Sequence, residues 1–306
     1  MLMASLALLL VLEQPPAESS TLGAVERLML HNRYEDAISE LSTTLQREPQ
    51  SGEAVWMLLA RCYESVGKPE DALRTLRAGL RANPDSQRLP LHLGEVLFRL
   101  QPNNQEAGAL LEHAVATMPR DAEARHYYAQ WASLNDKEDQ CAANERAALA
   151  LPGLNDQALL QMYTLLGLCE DKLDHPESAE SAFQKALSVN RRLELFDPAS
   201  AIQFARFLNI SGKADQAQQL VREIVARAPS YGPVHLELAK QFDKAGHFAQ
   251  AADEARRALA GEGNDSLTIR SARSVLAKCL FALGQKKEAQ EQRQLIDAES
   301  KQQTQR

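Results

Sequence analysis

Residues 53–84 have the sequence EAVWMLLARCYESVGKPEDALRTLRAGLRANP. Trp56, Leu59 and Tyr63 stand at i, i+3 and i+7, so they share one face of a helix. Ala60 is small where a second helix crosses closely. Ala72 and Gly79 are small on that second helix. Gly67 and Pro69 punctuate the turn between the two. Pro84 ends the second helix, because proline cannot continue the hydrogen-bond ladder. The stretch therefore predicts a pair of antiparallel helices that approach through small side chains.

The same arrangement recurs along the chain. The first small residue of each second helix falls at Ala37, Ala72, Ala107, Gln140, Ala179, Ala217, Ala251 and Ala289, with spacings of 35, 35, 33, 39, 38, 34 and 38 residues. Repeat 4 is the most degenerate, with Gln140 where the others carry alanine. A period near 34 residues, with W-x2-L-A-x2-Y in the first helix and A-x3-L-x2-G in the second, resembles the tetratricopeptide repeat (TPR). The resemblance implies an all-α fold, a right-handed superhelical solenoid of about eight helix–turn–helix repeats. It covers residues 18–298, preceded by an apolar segment, 1–17, and followed by a polar tail, 299–306.

Composition agrees with close-packed helices. The 306 residues are 44% hydrophobic but only 5% aromatic, and alternating β-branched runs are missing. A net charge of −7 argues against nucleic acid as a partner. Residues 2–12, LMASLALLLVL, are too few for a stable membrane span. They fit the apolar core of a signal peptide. The expectation is export to the periplasm, cell envelope or exterior. The alternative is a cytoplasmic chain in which this run caps the array.

Motifs for catalysis are missing. The pairs Gly67-Lys68 and Gly212-Lys213 are repeat turns, and no phosphate loop or nucleophile elbow accompanies them. The seven histidines lack metal-ligand spacing. The expectation is a non-enzyme with no cofactor and no metal. Cys62, Cys169 and Cys279 each follow the small residue of a first helix by two positions and face the preceding second helix. Cys141 lies near the start of the second helix of repeat 4. In an oxidising compartment that register allows a Cys141–Cys169 disulfide, whereas Cys62 faces Ile38 and Cys279 faces Ala252.

TPR arrays act mostly by holding peptides or proteins in a concave groove lined by their first helices. The resemblance places Met57, Leu91, His126, Ile202 and Leu236 at fifth positions toward that groove. It places Arg61, Arg206, Lys240 and Lys278 at ninth positions. The last three form a basic strip suited to a partner that is acidic opposite the C-terminal half. A Lys-x-x-x-Asn pair of the kind that clamps chaperone C-termini is missing. The expected function is a non-catalytic scaffold for a protein or peptide partner. The alternative is an accessory subunit of an envelope-assembly or glycosyl-transfer enzyme complex.

Overall fold

At Gly67 the backbone enters the left-handed region, with φ at 72°. A helix that ends this way gives its last carbonyls to the residues just beyond it. The Gly67 N–H donates to the Glu64 carbonyl and the Lys68 N–H to that of Tyr63. The conformation recurs in the corresponding turns at Gly212, Gly246 and Gly284, and at Asn32, Asp136 and Asp174. Asn and Asp are the non-glycine residues that tolerate it best. Pro69 then opens the next helix, where its missing N–H costs nothing.

In a computed structural model, which describes residues 17–304, these turns join sixteen α-helices. In chain order they are α1 (Ala17–Leu30), α2 (Tyr34–Arg47), α3 (Glu53–Ser65), α4 (Pro69–Ala82), α5 (Arg88–Leu100), α6 (Gln105–Thr117), α7 (Ala122–Leu134), α8 (Glu138–Leu149), α9 (Asp156–Lys172), α10 (Pro176–Arg192), α11 (Pro198–Ile210), α12 (Ala214–Arg227), α13 (Gly232–Lys244), α14 (Phe248–Ala260), α15 (Ser266–Ala282) and α16 (Lys286–Thr304). Odd-numbered helices are the first of each repeat and even-numbered helices the second. Among the described residues β structure is limited to one isolated bridge, Tyr231 to Glu262. The expected all-α repeat class is the fold. The apolar run 2–12 lies outside the described residues. The last helix extends through the tail as far as Thr304.

The chain divides after Asn144 into two compact units. In the first, Val25 of α1, Ala37 and Leu41 of α2, and Val55, Leu59 and Cys62 of α3 form one buried cluster. Ala37 is small enough to let α2 seat close to its neighbours. Leu41 is fully buried, and that burial contributes roughly 2 kcal/mol. In the second unit Phe183 stacks on Phe204 at 5.6 Å and contacts Phe207 at 5.3 Å. Ala179, Ala217, Leu220 and Ile224 close around them. A further cluster sets Ala251, Ala252 and Ala255 of α14 against Leu276 and Cys279 of α15.

The small-residue slot differs from the sequence reading in repeat 4. In repeats 1 and 2 the slot residue donates its N–H to the carbonyl just before the second helix, as Ala37 does to Arg33 and Ala72 to Lys68. In repeat 4 that bond is made by Cys141, to Lys137. Cys141 is fully buried, while Gln140, one residue earlier, is exposed. In repeat 3 Ala107 keeps the slot: Ala107, Leu111 and Ala114 are all fully buried, at the spacing of Ala72, Leu76 and Gly79, although the Asn104 cap gives the corresponding helical bond to Gly108. The degenerate repeat thus keeps its small residue, as a cysteine.

Candidate functional site

The first helices of unit 1 present a continuous polar face. On it lies a cleft of about 570 Å³, with Met29 of α1, Met57, Arg61 and Glu64 of α3, Arg88, His92, Glu95 and Arg99 of α5, and Glu123 and Tyr127 of α7 in its walls. Tyr34, the first residue of α2, closes one end with Met29 and Met57.

Glu95 is the centre of the polar wall, with its side chain only 12% exposed. One carboxylate oxygen accepts from the Tyr127 hydroxyl at 2.7 Å and faces Arg99 at 3.4 Å. The other faces His92 Nδ1 at 3.3 Å. Arg99 also reaches back to Glu64 on α3. These contacts tie α3, α5 and α7 side by side and satisfy polar groups that burial would otherwise penalise. Burial, and then the hydrogen bond to Glu95, push the Tyr127 phenol well above its ordinary value. It therefore stays a neutral donor across physiological pH. At the rim Arg88 meets Asp121 at 3.3 Å and Glu123 at 4.0 Å.

Arg61 differs from its neighbours. Its side chain is exposed in the cleft. None of the ion pairs of the described residues includes it. Met57 lies four residues earlier, on the same helix face, and is half-buried. A free guanidinium beside an apolar floor suits an amphipathic segment of another chain.

The other sequence-based candidates are placed differently. Leu91, Ile202, Leu236 and His126 are 0%, 1%, 2% and 8% exposed. The groove expectation for these four is corrected: they pack inside their units and offer a partner almost no surface. An apolar fifth residue here turns inward, where its transfer from water stabilises the repeat. The basic strip does lie on first helices, but it is internally paired. Arg206 of α11 donates to Glu237 of α13 at 2.9 Å, and Lys240 meets the same oxygen at 3.2 Å. Lys278 of α15 meets Asp243 of α13 at 2.7 Å. The strip is therefore a set of cross-helix clasps more than an open row of cations. Cys62 packs with Ala37 in the N-terminal cluster, and Cys279 packs against Ala251 and Ala252, as expected of small buried residues. Cys141 and Cys169 are both fully buried. Among the described residues no group of three or more His, Cys, Asp or Glu is placed to hold a metal ion. No helix among them is long and apolar enough to cross a membrane.

Sequence reasoning missed His92, Arg99 and Tyr127, whereas Glu95 holds the same ninth position as Arg61. A signal was present, since Glu64 precedes Arg99, and Glu95 precedes Tyr127, by about one repeat, the offset that sets side chains of neighbouring first helices together.

Family models described as tetratricopeptide repeat match residues 28–97, 160–192 and 232–306. No curated protein matches the chain. Among solved structures, a tetratricopeptide repeat protein from Parabacteroides merdae superposes with a TM-score of 0.65 at 13% identity, covering 86% of this chain and 100% of its own. PilW, titled a widely conserved type IV pilus biogenesis factor, gives 0.59 at 19% identity, covering 70% of this chain and 94% of its own. PilF of Pseudomonas aeruginosa gives 0.56 at 19% identity, covering 68% and 90%. At these identities the likeness is one of fold. Three repeat matches spread along the chain, and the helix pairs that carry them, lead to one conclusion: this chain belongs to the tetratricopeptide repeat family.

Proposed function

We propose that this chain is a non-catalytic scaffold that docks a peptide or an extended segment of a protein partner in the unit 1 cleft. The observation that carries the reading is the pairing of an unengaged Arg61 with the half-buried Met57 on a face whose other charges are satisfied. A bound segment covers that apolar floor and gives the guanidinium a partner. Proteins of this family bind other proteins, which supports the same reading.

Site-specific cross-linking tests it. A photoreactive phenylalanine replaces Met57 in one variant and Arg74 in another. Arg74 lies on α4 with its side chain 77% exposed. Irradiation in the cell of origin is expected to give a discrete adduct from position 57 and none from position 74. Equal adducts at the two positions, or none at 57, contradict the proposal.

Export is a separate proposal and rests on the apolar run 2–12 alone. N-terminal sequencing of the mature chain tests it. A start near Ala17 supports cleavage, and an intact Met1 in a cytosolic fraction opposes it.

A further inference from the structure

We infer that the cleft selects a segment carrying a side-chain carboxylate next to a bulky aliphatic residue. This rests on the cleft being the docking site and adds the chemistry of its occupant. Pairing and not net charge carries it, because Glu64, Glu95 and Glu123 equal Arg61, Arg88 and Arg99 in number while Arg99 serves two of the acids. Glu64 is held by Arg99, Glu95 by Arg99, His92 and Tyr127, and Glu123 by Arg88. Each acid in the cleft is already answered by a cation or a donor. Arg61 is the cleft arginine without an ion pair. Glu26 holds the corresponding place on α1, and Glu64 is one turn along α3, yet neither forms an ion pair with it. A negative group is thus the complement the cleft lacks, and a basic segment would meet one more repulsion and no free acid.

The apolar half of the motif follows from the same geometry. Met29, Tyr34 and Met57 are all half-buried at the α1 end of the cleft. Met57 stands one helical turn from Arg61. An aliphatic side chain adjoining the carboxylate covers them, and the unbranched methionines adapt to its shape. The walls draw on four successive first helices, α1 to α7, so a segment crosses the cleft instead of ending in it. The carboxylate is therefore that of an internal Asp or Glu and not a chain terminus.

The test is selection of a random heptapeptide library, displayed with both ends fused, on the whole purified chain. Asp or Glu beside Leu, Ile, Met or Phe is expected to dominate the selected sequences. Binding of a synthetic, end-capped winner is expected to fall about tenfold in Arg61→Glu, and to weaken with added salt. Exchanging its acid for lysine is expected to restore binding to that variant. Arg222→Glu, on the exposed face of α12, is the control and leaves binding unchanged. Circular dichroism confirms that both variants are folded. Selected peptides without acids, or binding indifferent to Arg61→Glu, overturn the inference. If such peptides are still displaced by Met57→Asp, the docking site stands and only its chemistry is wrong. If no cleft substitution displaces them, the docking site itself falls. A winner that binds only with a free C-terminus also overturns it.

Discussion

One methyl group at Gly108 is expected to destabilise unit 1 measurably. A Cβ built there falls 2.2 Å from Trp131 Cζ2 and 2.5 Å from Cε2. The indole cannot swing aside cheaply. It is 3% exposed, its Nε1–H donates to the Asn104 carbonyl at 3.0 Å, and it stacks on Tyr128 with centroids 5.9 Å apart. The Lys137 ammonium lies 4.6 Å from its centroid. Overpacking of this kind costs about 1–3 kcal/mol, and breaking the indole hydrogen bond adds about 1 kcal/mol. The gain in helix propensity from glycine to alanine offsets up to about 1 kcal/mol. The net loss for Gly108→Ala is then about 2 kcal/mol. Both tryptophans of the chain, Trp56 and Trp131, lie in unit 1, so their fluorescence in a urea titration follows this unit alone. The midpoint is expected to fall. On a Trp131→Leu background, where the ring is gone, the cost of Gly108→Ala is expected to shrink to below about 0.5 kcal/mol, and the difference is the coupling between the two sites. An unchanged or raised midpoint for Gly108→Ala alone refutes the reasoning, because propensity would then outweigh the clash.

Two further outcomes follow from other parts of the chain. In unit 2 the Arg191 guanidinium donates to Glu223 through Nε at 2.9 Å and Nη2 at 2.5 Å, and that hydrogen bonding holds the Glu223 carboxyl below its ordinary value. As pH falls the unfolded state takes up this proton first, so the stability from the pair is present above about pH 4.5 and is lost as pH drops through the lower folded value. Melting temperatures read by circular dichroism from pH 6 to 3 are expected to fall less steeply in Glu223→Gln than in the parent, and parallel curves contradict this. For the cysteines, we propose a Cys141–Cys169 disulfide in chain made in an oxidising compartment, closing a loop of about 28 residues and contributing roughly 3 kcal/mol. Thiol titration of the denatured, unreduced chain is expected to count Cys62 and Cys279 only, and four reactive thiols refute the bond.

The architecture was legible because its determinants are local and repeated. Ala37, Ala72, Ala179, Ala217, Ala251 and Ala289 are at most 2% exposed, and each was readable from spacing alone. One slot, that of repeat 4, lies a residue later than the spacing of alanines suggests. In repeat 4 the slot holds no alanine, and Cys141 fills it, nearly as small and as buried. The site was less legible for a different reason. Which way a fifth-position residue points depends on how each first helix is rotated about its axis, and that is set by packing against neighbours. Leu91, Ile202 and Leu236 were therefore assigned to a groove that they do not reach. The polar wall around Glu95 depends on contacts between residues about one repeat apart, and no single repeat contains it. Arg206, Lys240 and Lys278 were placed on the right helices. Their acid partners Glu237 and Asp243 were overlooked because they belong to α13, between the other two helices.

The most direct test of peptide docking in the cleft uses methionine methyl groups as reporters. Met29 and Met57 line the cleft, whereas Met118, at the end of α6, and Met162, buried in α9, do not. With the methionine methyls labelled with carbon-13, titration of a selected peptide into the whole chain is expected to shift the resonances of Met29 and Met57 along a saturating curve and to leave those of Met118 and Met162 in place. Saturable binding that moves Met118 or Met162 while Met29 and Met57 stay fixed would place the partner elsewhere and contradict the account.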